Sequence, residues 1–252
     1  MLVAERYEKI VQVVSERGSV RVTELSELCN VTEETIRRDL DRLEQAGRLR
    51  RSHGGAVSVK DAQPEIPYFE REVTHAEEKR RIAEEAIKLI EPNERIILDA
   101  SSTAWYMAAQ LPDIPLTVLT NSIKVATELA SKEKIEVIST GGILASRSLS
   151  YVGPLAERSL GSYYVDKVFL SCKGVHLERG ISESNELQAR VKQQMIGIAD
   201  RVVLLADSSK FGLQAFTFVA PLDQVDALVT DRRLSGETMS QLQQLGIAVT
   251  TA

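Results

Sequence analysis

Cysteine, histidine and aromatic residues are all scarce in this chain of 252 residues, which has two cysteines, three histidines and 5% aromatic residues. The cysteines, Cys29 and Cys172, are too few and too far apart in the sequence for a disulfide framework or a cysteine-based zinc site. No 18 consecutive residues are all apolar, and the first residues lack the apolar stretch of a signal peptide. We therefore expect a reduced, cytoplasmic protein that neither crosses a membrane nor holds a metal ion.

Motifs that bind nucleotide phosphates are also missing. Neither G-x-G-x-x-G nor G-x-x-x-x-G-K-[ST] occurs in the chain, so neither a dinucleotide site nor a P-loop is predicted. The histidines, His53, His75 and His176, are not paired with any carboxylate motif. A catalytic constellation is therefore not indicated, and no cofactor is expected.

Basic residues are concentrated in one short segment, although the whole chain has a net charge of −5. Residues 36–60 contain seven Lys or Arg residues and three Asp or Glu residues. Positive charge placed so locally indicates a defined docking edge rather than a general polycation.

Residues 1–58 are predicted to form three helices and a β-hairpin, the element order of a winged helix-turn-helix. Thr32 is placed to cap the third helix, in which Ile36, Leu40 and Leu43 share one apolar stripe opposite the arginines. Such a helix can enter the major groove of double-stranded DNA, and the hairpin can reach phosphates or the minor groove. The expected DNA contacts are Thr32, Thr35, Arg37, Arg38, Arg42, Arg51 and His53.

Each arginine of the third helix has a simpler alternative role. Acidic neighbours, Glu34, Asp39, Asp41 and Glu44, can form exposed ion pairs with the arginines, and such pairs are common and contribute little stability. Ion pairing alone does not explain why two short helices, a tight turn and a basic hairpin occur together.

After a proline-containing segment at residues 59–74, which we interpret as a linker, short apolar runs alternate with helical patterns over residues 75–252. This alternation predicts an α/β domain with a mostly parallel sheet and helices on both faces. The strands are predicted at residues 95–99, 116–120, 135–140, 167–171, 201–206 and 225–230, and helices at 76–90, 122–131, 186–199 and 236–245.

Polar loops follow four of these strands at their carboxyl ends, where open α/β sheets bind their ligands. Hydroxyl groups, a glycine pair and helix N-termini in such loops can hold an anion, especially a phosphate, and Lys210, Lys167 or Lys173 can add charge. The alternatives are structural: the serines are helix caps, the glycines form a turn, Asp99 accepts backbone hydrogen bonds and Lys210 is an exposed charge.

The basic segment, TIRRDLDRLEQAGRLRRSHGGA, resembles the DNA-binding signature of DeoR-type bacterial transcriptional repressors, in which an [ST]-x-R-R-D-L helix leads to a wing ending in H-G-G. The matching residues are Thr35, Ile36, Arg37, Arg38, Asp39, Leu40, Gly47, Arg51, His53, Gly54, Gly55 and Ala56. The resemblance continues to about residue 235, and the second part resembles the DeoR effector domain. This domain is similar in fold to ribose-5-phosphate isomerases and senses phosphorylated sugars.

Several loops match the family's effector-domain motifs, including Leu98–Ala104 for L-D-x-G-[ST]-T-x and Asp207–Lys210 for D-x-[ST]-K. Ser101 stands where the family usually has glycine, and Ala104 stands where threonine is common. These departures imply that the bound sugar differs from that of better-known members of the family. The resemblance implies that the effector-binding residues are Asp99, Ser101, Ser102, Thr103, Asn121, Gly141, Gly142, Asp166, Lys167, Lys192, Ser208 and Lys210.

The function implied by this resemblance is repression of a sugar catabolic operon by a homo-oligomer, either a dimer or a tetramer, that a phosphorylated sugar releases from operator DNA. The LDASSTA loop is similar to that of regulators of rhamnose-type catabolism, which implies a deoxy-ketose 1-phosphate as the effector. The alternative is an enzyme of the sugar-phosphate isomerase or deaminase class with a basic appended domain. Its general base would be Asp99, Glu183 or Glu186.

Overall fold

The structure, a computed structural model, describes residues 3–17, 19–46, 48–52, 54–58 and 65–252. The chain divides into two compact units, residues 1–64 and residues 65–252. Within the described ranges, no helix combines the length and the apolar character that a membrane span requires.

The first unit is a winged helix-turn-helix, as the sequence predicts. Its elements are α1 (Val3–Arg17), β1 (Ser19–Arg21), α2 (Val22–Cys29), α3 (Glu33–Gln45), β2 (Leu49–Ser52) and β3 (Gly55–Ser58). The predicted hairpin of β2 and β3 gains β1 as a third, antiparallel strand, in the order β1-β3-β2. The apolar stripe of α3 is fully buried against α1 and α2, which fixes the exposed side of the helix.

The R-R-D-L stretch of α3 divides between the inside and the outside of this unit. Asp39 is buried and accepts two hydrogen bonds from Arg6 of α1, from Nε at 2.6 Å and from Nη2 at 3.2 Å. Leu40 lies in the core, whereas Arg37 and Arg38 are exposed. The acid and the leucine therefore hold α3 in place while the two arginines face solvent.

Both described glycines of the wing are required by the backbone. Gly54 has φ +84°, a left-handed conformation that favours glycine, and its carbonyl accepts a hydrogen bond from Val22 N at 2.9 Å. A Cβ at Gly55 would lie 2.3 Å from the carbonyl oxygen of Val20. Any larger residue at position 55 would push β3 away from β1.

The second unit is an α/β domain with a parallel sheet of seven strands, which confirms the predicted fold class. Its helices are α4 (Tyr68–Val73), α5 (Ala76–Ile87), α6 (Ser102–Gln110), α7 (Ile123–Leu129), α8 (Pro154–Leu160), α9 (Glu186–Gly197) and α10 (Gly236–Gln244). Its strands are β4 (Arg95–Leu98), β5 (Leu116–Thr120), β6 (Ile135–Ser139), β7 (Ile143–Ala145), β8 (Ser150–Val152), β9 (Val165–Leu170), β10 (Gly174–His176), β11 (Gly180–Glu183), β12 (Ala199–Leu205), β13 (Thr217–Ala220), β14 (Ala227–Thr230) and β15 (Ala248–Thr251).

The order of the central sheet, β15-β14-β12-β9-β4-β5-β6, places a topological switch point between β4 and β9. From β4 the chain adds β5 and β6 on one side, and from β9 it adds β12, β14 and β15 on the other side. Buried apolar clusters cover both faces of the sheet. In open parallel sheets the ligand crevice lies outside the carboxyl ends of the strands at such a point.

Residues 65–74, which the sequence analysis assigned to the linker, belong to the second unit and include helix α4. Tyr68 of α4 is buried, and its backbone N donates to the carbonyl oxygen of Arg147 at 2.7 Å. Lys124 of α7 places its Nζ 5.5 Å from the Tyr68 ring centroid and 4.9 Å from that of Trp105. These contacts fasten α4 to the domain although the segment has no helical periodicity.

Candidate nucleic-acid interface and anion site

The first turns of α3 carry the side chains that the sequence predicts to contact DNA. Thr32 caps the helix, since its hydroxyl accepts from Thr35 N at 3.3 Å. Arg37 pairs with Glu33 at 2.6 Å, and the exposed Arg38 pairs with Glu34 at 3.4 Å. Exposed pairs of this kind contribute little stability, so a phosphate or a base edge can replace the carboxylates at small cost.

The remaining predicted DNA contacts are held by other elements of the same unit. Arg42 donates from Nη1 to the hydroxyl of Tyr7 in α1 at 3.3 Å, and Arg51 of β2 forms an ion pair with Asp41 of α3. Both arginines are exposed. His53 lies outside the described residues.

A cavity of about 200 Å³ occupies the switch point of the central sheet. Three strand-end loops line it: Ser101–Thr103 after β4, Ser171–Lys173 after β9, and Asp207 and Lys210 after β12. A fourth part of the wall comes from the segment before the sheet, with Glu65, Ile66, Arg71, Thr74, His75 and Lys79. The remaining lining residues are Glu183, Ser184, Lys192, Ser209 and Leu213.

The floor of the cavity is a buried ion cluster around Lys192 of α9. Its Nζ lies 3.1 Å from Asp99 Oδ2 and 2.6 Å from Glu183 Oε1, and it also donates to the carbonyl oxygen of Ser171. Burial opposes the charge on this lysine, but the two carboxylates outweigh burial and raise the pKa of Lys192 above its ordinary value. Lys192 is therefore a cation whose charge is already balanced.

Asp99 also joins the two strand ends that flank the switch point. Its Oδ1 accepts from Ser101 N at 3.0 Å, and its Oδ2 accepts from Ser171 N at 3.0 Å. Ser101 in turn caps α6, because its hydroxyl accepts from Ala104 N at 3.0 Å. The first turn of α6 consequently meets the cavity with Ser102 and Thr103, whose N–H groups have no acceptor within the helix.

Basic side chains outnumber acidic ones in the part of the cavity wall that lies outside the ion cluster of Lys192. Burial lowers the pKa of Lys79 to about 8, and the nearby charges of Lys210 and Arg71 contribute to the decrease. Burial, together with Lys210 and Arg71, also lowers the pKa of Lys173. Burial raises the pKa of Glu65, which favours its neutral form. The cavity thus holds mutually repelling cations, an arrangement that a bound anion stabilises.

Six of the predicted effector residues come together at this cavity. Ser101, Ser102, Thr103, Lys192 and Lys210 line it, and Asp99 lies directly beneath it. Ser208 lies next to them in sequence, but its backbone N donates to Asp231 Oδ2 at 2.6 Å and the residue does not line the cavity.

The predicted residues after β5 and β6 do not line the cavity. Asn121 donates from Nδ2 to the carbonyl oxygen of Tyr151 at 3.0 Å, which ties the end of β5 to β8. Gly141 and Gly142 both have positive φ, and a Cβ at Gly142 would lie 2.9 Å from the carbonyl oxygen of Val152. Asn121, Gly141 and Gly142 therefore have backbone and packing roles. They follow β5 and β6, which lie one and two strands away from β4 at the switch point.

Asp166 and Lys167 lie at the opposite end of the strands. Asp166 accepts from the backbone N of Arg95, the first residue of β4, at 2.7 Å and pairs with its guanidinium, which lowers the pKa of Asp166. Lys167 forms an ion pair with Glu94. Neither residue lines the cavity.

Among the wall residues that were not predicted from the sequence are two cations, Arg71 and Lys79. Arg71 lies in the segment interpreted as a linker, and Lys79 lies in the charged run AEEKRR of α5, which is typical of a solvated face. Lys79 is nevertheless buried, with its Nζ donating to the carbonyl oxygens of Arg71 and Thr74. Only the folded structure places these cations beside Lys210.

Cysteine and metal chemistry find no support in the described part of the chain. Burial raises the pKa of Cys172 to about 12, so its thiol stays protonated at neutral pH. Among the residues that the structure describes, no group of three or more His, Cys, Asp or Glu side chains is placed to hold a metal ion.

Two family models match the chain in the order of its two units. Residues 6–62 match the DeoR-like helix-turn-helix domain, and residues 74–232 match the DeoR C-terminal sensor domain. Solved structures with similar folds include the ribose 5-phosphate isomerase A of Methanocaldococcus jannaschii, which is 18% identical with a TM-score of 0.39 and 53% coverage of each chain. A similarity this slight supports no inference about the site.

Relatives of known sequence are similar over nearly the whole chain. The HTH-type transcriptional regulator YulB of Bacillus subtilis (strain 168) is 55% identical over 99% of this chain and 97% of its own length. The L-fucose operon activator of Haemophilus influenzae is 39% identical over 95% of this chain and 96% of its own length. A putative aga operon transcriptional repressor of Escherichia coli O157:H7 is 34% identical over 98% and 93%. With both family models matched and both units folded accordingly, the chain belongs to the DeoR family of DNA-binding transcriptional regulators.

Proposed function

We propose that this protein is a repressor of a sugar catabolic operon, released from its operator when a phosphorylated sugar binds the cavity at the switch point. The observation that carries the proposal is that cavity, with Arg71, Lys79, Lys173 and Lys210 in its wall and the N-terminus of α6 beside them. A phosphate monoester at neutral pH has the charge and the acceptor oxygens that such a set of donors requires.

DNA binding belongs to the first unit in this proposal. Thr32, Thr35, Arg37 and Arg38 lie on the exposed side of α3 and contact the major groove, and Arg42 and Arg51 contact the backbone of double-stranded operator DNA. His53 is retained as a wing contact. The protein acts as a homo-oligomer, a dimer or a tetramer, so that two copies of α3 read two half-sites.

The sugar phosphate is a signal rather than a substrate. An isomerase or deaminase needs a carboxylate or imidazole free to move a proton at the bound sugar. Of the three candidate bases, Asp99 and Glu183 are both engaged by Lys192, and Glu186 pairs with Arg190 on the exposed side of α9. Those ion pairs support binding in preference to catalysis.

The proposed effector is a deoxy-ketose 1-phosphate of the rhamnose type. The phosphate is bound by Lys210, Lys173 and the Ser101–Thr103 turn, and Ser101 narrows the loop in which a glycine would leave more room. Three of the similar regulators are named for L-fucose, itself a deoxy sugar, which supports this class. Asn121, Gly141, Gly142, Asp166, Lys167 and Ser208 play supporting roles outside the cavity wall.

A binding screen with phosphorylated and free sugars tests this proposal. Thermal unfolding of the full chain is recorded with the ketose 1-phosphates of L-rhamnose and L-fucose, with glucose 6-phosphate, and with the corresponding free sugars. The proposal predicts stabilisation by at least one phosphate and by none of the free sugars. Calorimetry then measures the affinity of the best phosphate for the wild type and for the Lys210→Ala variant.

The matched control is Lys88→Ala, which removes an exposed lysine paired with Glu85 at the end of α5. We expect Lys210→Ala to weaken binding by about tenfold or more, because it removes a charge-assisted contact, and Lys88→Ala to leave binding unchanged. Equal stabilisation by a free sugar and its phosphate, or normal affinity of Lys210→Ala, would refute the site.

A further inference from the structure

One guanidinium nitrogen of Arg71, Nη2, has no hydrogen-bond acceptor in the described part of the chain. The Nε of Arg71 donates to the carbonyl oxygen of Ile66 at 3.1 Å, while Nη2 is buried and has no hydrogen-bond partner. Buried guanidinium N–H groups without an acceptor are rare, because the lost hydration is not replaced. Arg71 also lines the cavity at the switch point, so an acceptor bound there can complete its hydrogen bonding.

The position of this nitrogen is fixed by several contacts of α4. The Cζ of Arg71 lies 5.5 Å from the Tyr68 ring centroid, and the buried Tyr68 anchors the helix. The carbonyl oxygen of Arg71 accepts from Ser102 Oγ at 3.3 Å and from Lys79 Nζ. The guanidinium is therefore held beside the first turn of α6, with its planar fork oriented before any ligand arrives.

The location of Arg71 in the chain gives this contact a second consequence. The two family models match residues 6–62 and 74–232, so Arg71 lies between the two matched ranges, in the first residues of the second unit. Glu65, Ile66 and Arg71 of the same segment all line the cavity. A ligand in the cavity would thus contact the part of the second unit that directly follows the DNA-binding unit in the chain.

We propose that Arg71 is an anion-binding residue of the effector site, and that through it the bound ligand stabilises residues 65–74, the part of the second unit that follows the DNA-binding unit in the chain. This inference rests on the proposed function, since the anion is the phosphate of the sugar. The like charges of Lys79, Lys173 and Lys210 around the same cavity favour an anion over a neutral group as the missing acceptor. The inferred regulatory step is a further stabilisation of the already folded residues 65–74 on ligand binding.

The experiment uses the full chain, with inorganic phosphate as the probe and potassium chloride at equal ionic strength as the blank. Calorimetry measures phosphate affinity for the wild type and for the variants Arg71→Gln, Arg71→Lys, Lys210→Ala and Arg80→Gln. The last is the matched control, because Arg80 is an exposed arginine of α5 paired with Glu77. Hydrogen exchange of residues 65–74 and 101–104 is recorded with and without phosphate.

We expect Arg71→Gln to weaken phosphate binding by about tenfold or more and Arg71→Lys to lie between it and the wild type, since lysine keeps the charge but lacks the fork. Arg80→Gln should bind as the wild type does. Phosphate should slow exchange in both segments of the wild type, but in Arg71→Gln only in residues 101–104.

Three results would overturn all or part of the inference, and they differ in what else they overturn. Normal phosphate affinity of Arg71→Gln, or of Arg71→Lys if the first variant does not fold, would show that Arg71 is not part of the site. Weak phosphate binding by Lys210→Ala in the same experiment would still support the proposed function. Unchanged exchange of residues 65–74 in the phosphate-bound wild type would remove the regulatory step. Failure of phosphate and of every sugar phosphate to bind the wild type would reject the proposed function and this inference together.

Discussion

Lys79 is the single residue whose titration the structure makes most useful. Its ammonium faces the carbonyls of Arg71 and Thr74, the charged groups of Lys210, Asp207 and Arg71, and Glu78 beside it on α5. Burial and the neighbouring cations lower its pKa to about 8 from the ordinary value of 10.5. A small rise in pH above neutrality therefore removes a positive charge from the cavity.

We predict that sugar-phosphate affinity is highest between pH of about 6 and about 8. Below about 6 the phosphate takes up a proton and loses charge. A bound dianion raises the pKa of Lys79, so binding is accompanied by proton uptake near pH 8. The affinity for the sugar phosphate therefore falls as the pH rises from about 8 towards the higher pKa that Lys79 has in the complex. Calorimetry over a pH series, in buffers of different ionisation enthalpy, measures both effects.

The control for this prediction is Lys79→Arg, which stays charged throughout the range. Lys173, whose pKa is also lowered by burial and by Lys210, contributes to the same alkaline decrease. The variant should therefore bind with a shallower decrease above pH 8, and an unchanged profile would exclude Lys79 as its origin.

Lys192 gives a prediction about stability instead of binding. Its ammonium lies between the buried carboxylate of Asp99 and the partly buried carboxylate of Glu183, so Lys192→Met leaves both negative charges without a cation. We expect the second unit to lose about 3–5 kcal/mol of unfolding free energy in the absence of ligand, measured by urea denaturation. Adding Glu183→Gln should recover part of the loss, and the exposed Lys88→Met should change the free energy by less than about 0.5 kcal/mol. Full stability of Lys192→Met would show that the cluster is not an ion triad in solution.

At the scale of the element, α3 divides its arginines from its core, and this division gives a test of DNA reading. Arg37→Ala and Arg38→Ala remove exposed side chains whose partners are exposed glutamates, so neither variant should lose stability. Each should weaken operator binding by roughly 1–3 kcal/mol and relax sequence preference, as measured by fluorescence anisotropy with operator and random duplexes over a salt series.

The control for α3 is Arg80→Ala in the second unit, which should bind operator as the wild type does. An arginine that contacts only phosphates would instead weaken both duplexes equally and reduce the salt slope by about one. Unchanged operator affinity in both α3 variants would place the recognition surface elsewhere in the first unit.

Elements with a clear apolar stripe or apolar run were predictable from the sequence, and elements without one were not. The stripe of Ile36, Leu40 and Leu43 predicted α3, and the six apolar runs predicted six of the seven strands of the central sheet. The missed strand, β15, is an edge strand whose residues are largely exposed, so it lacks an apolar run. Helix α4 is six residues long and is held by Tyr68 and by the cation–π contacts of Lys124, which are tertiary interactions.

The composition of the site was only partly predictable, for a topological reason. Strand-end loops can be read from a sequence, but the order of strands in the sheet cannot, and that order places the cavity at β4, β9 and β12. Asn121 and Gly141 follow strands on the far side of the switch point and consequently do not line it. Lys79 and Arg71 enter the site from a helix and a segment whose charged sequence indicates exposure.

At the scale of the whole molecule, the chain carries a DNA-binding unit and, in its second unit, a cavity with several basic side chains, whose wall includes the first residues of that unit. Coupling between the two requires that the sugar phosphate bind the DNA-free form more tightly than the DNA-bound form. A ligand shifts such an equilibrium only by the ratio of its two affinities, however tightly it binds. Release of DNA is therefore limited by that ratio.

We predict that operator release reaches a plateau as the sugar phosphate is increased, and that DNA weakens sugar-phosphate binding by the same factor by which sugar phosphate weakens DNA binding. Anisotropy titrations of labelled operator at fixed sugar-phosphate concentrations, using the phosphate that stabilises the protein most, measure the first factor. Calorimetry of the protein with and without saturating operator measures the second.

The Lys210→Ala variant separates coupling from DNA binding in the same titrations. Its substitution lies in the second unit, so operator affinity without ligand should equal that of the wild type, while release should require about tenfold more sugar phosphate or fail altogether. The plateau distinguishes coupling from simple competition, because a ligand that competed for the DNA-binding surface would drive release to completion without limit. Complete release with no plateau, or normal release of the Lys210→Ala variant, would therefore show that the cavity at the switch point does not control DNA binding.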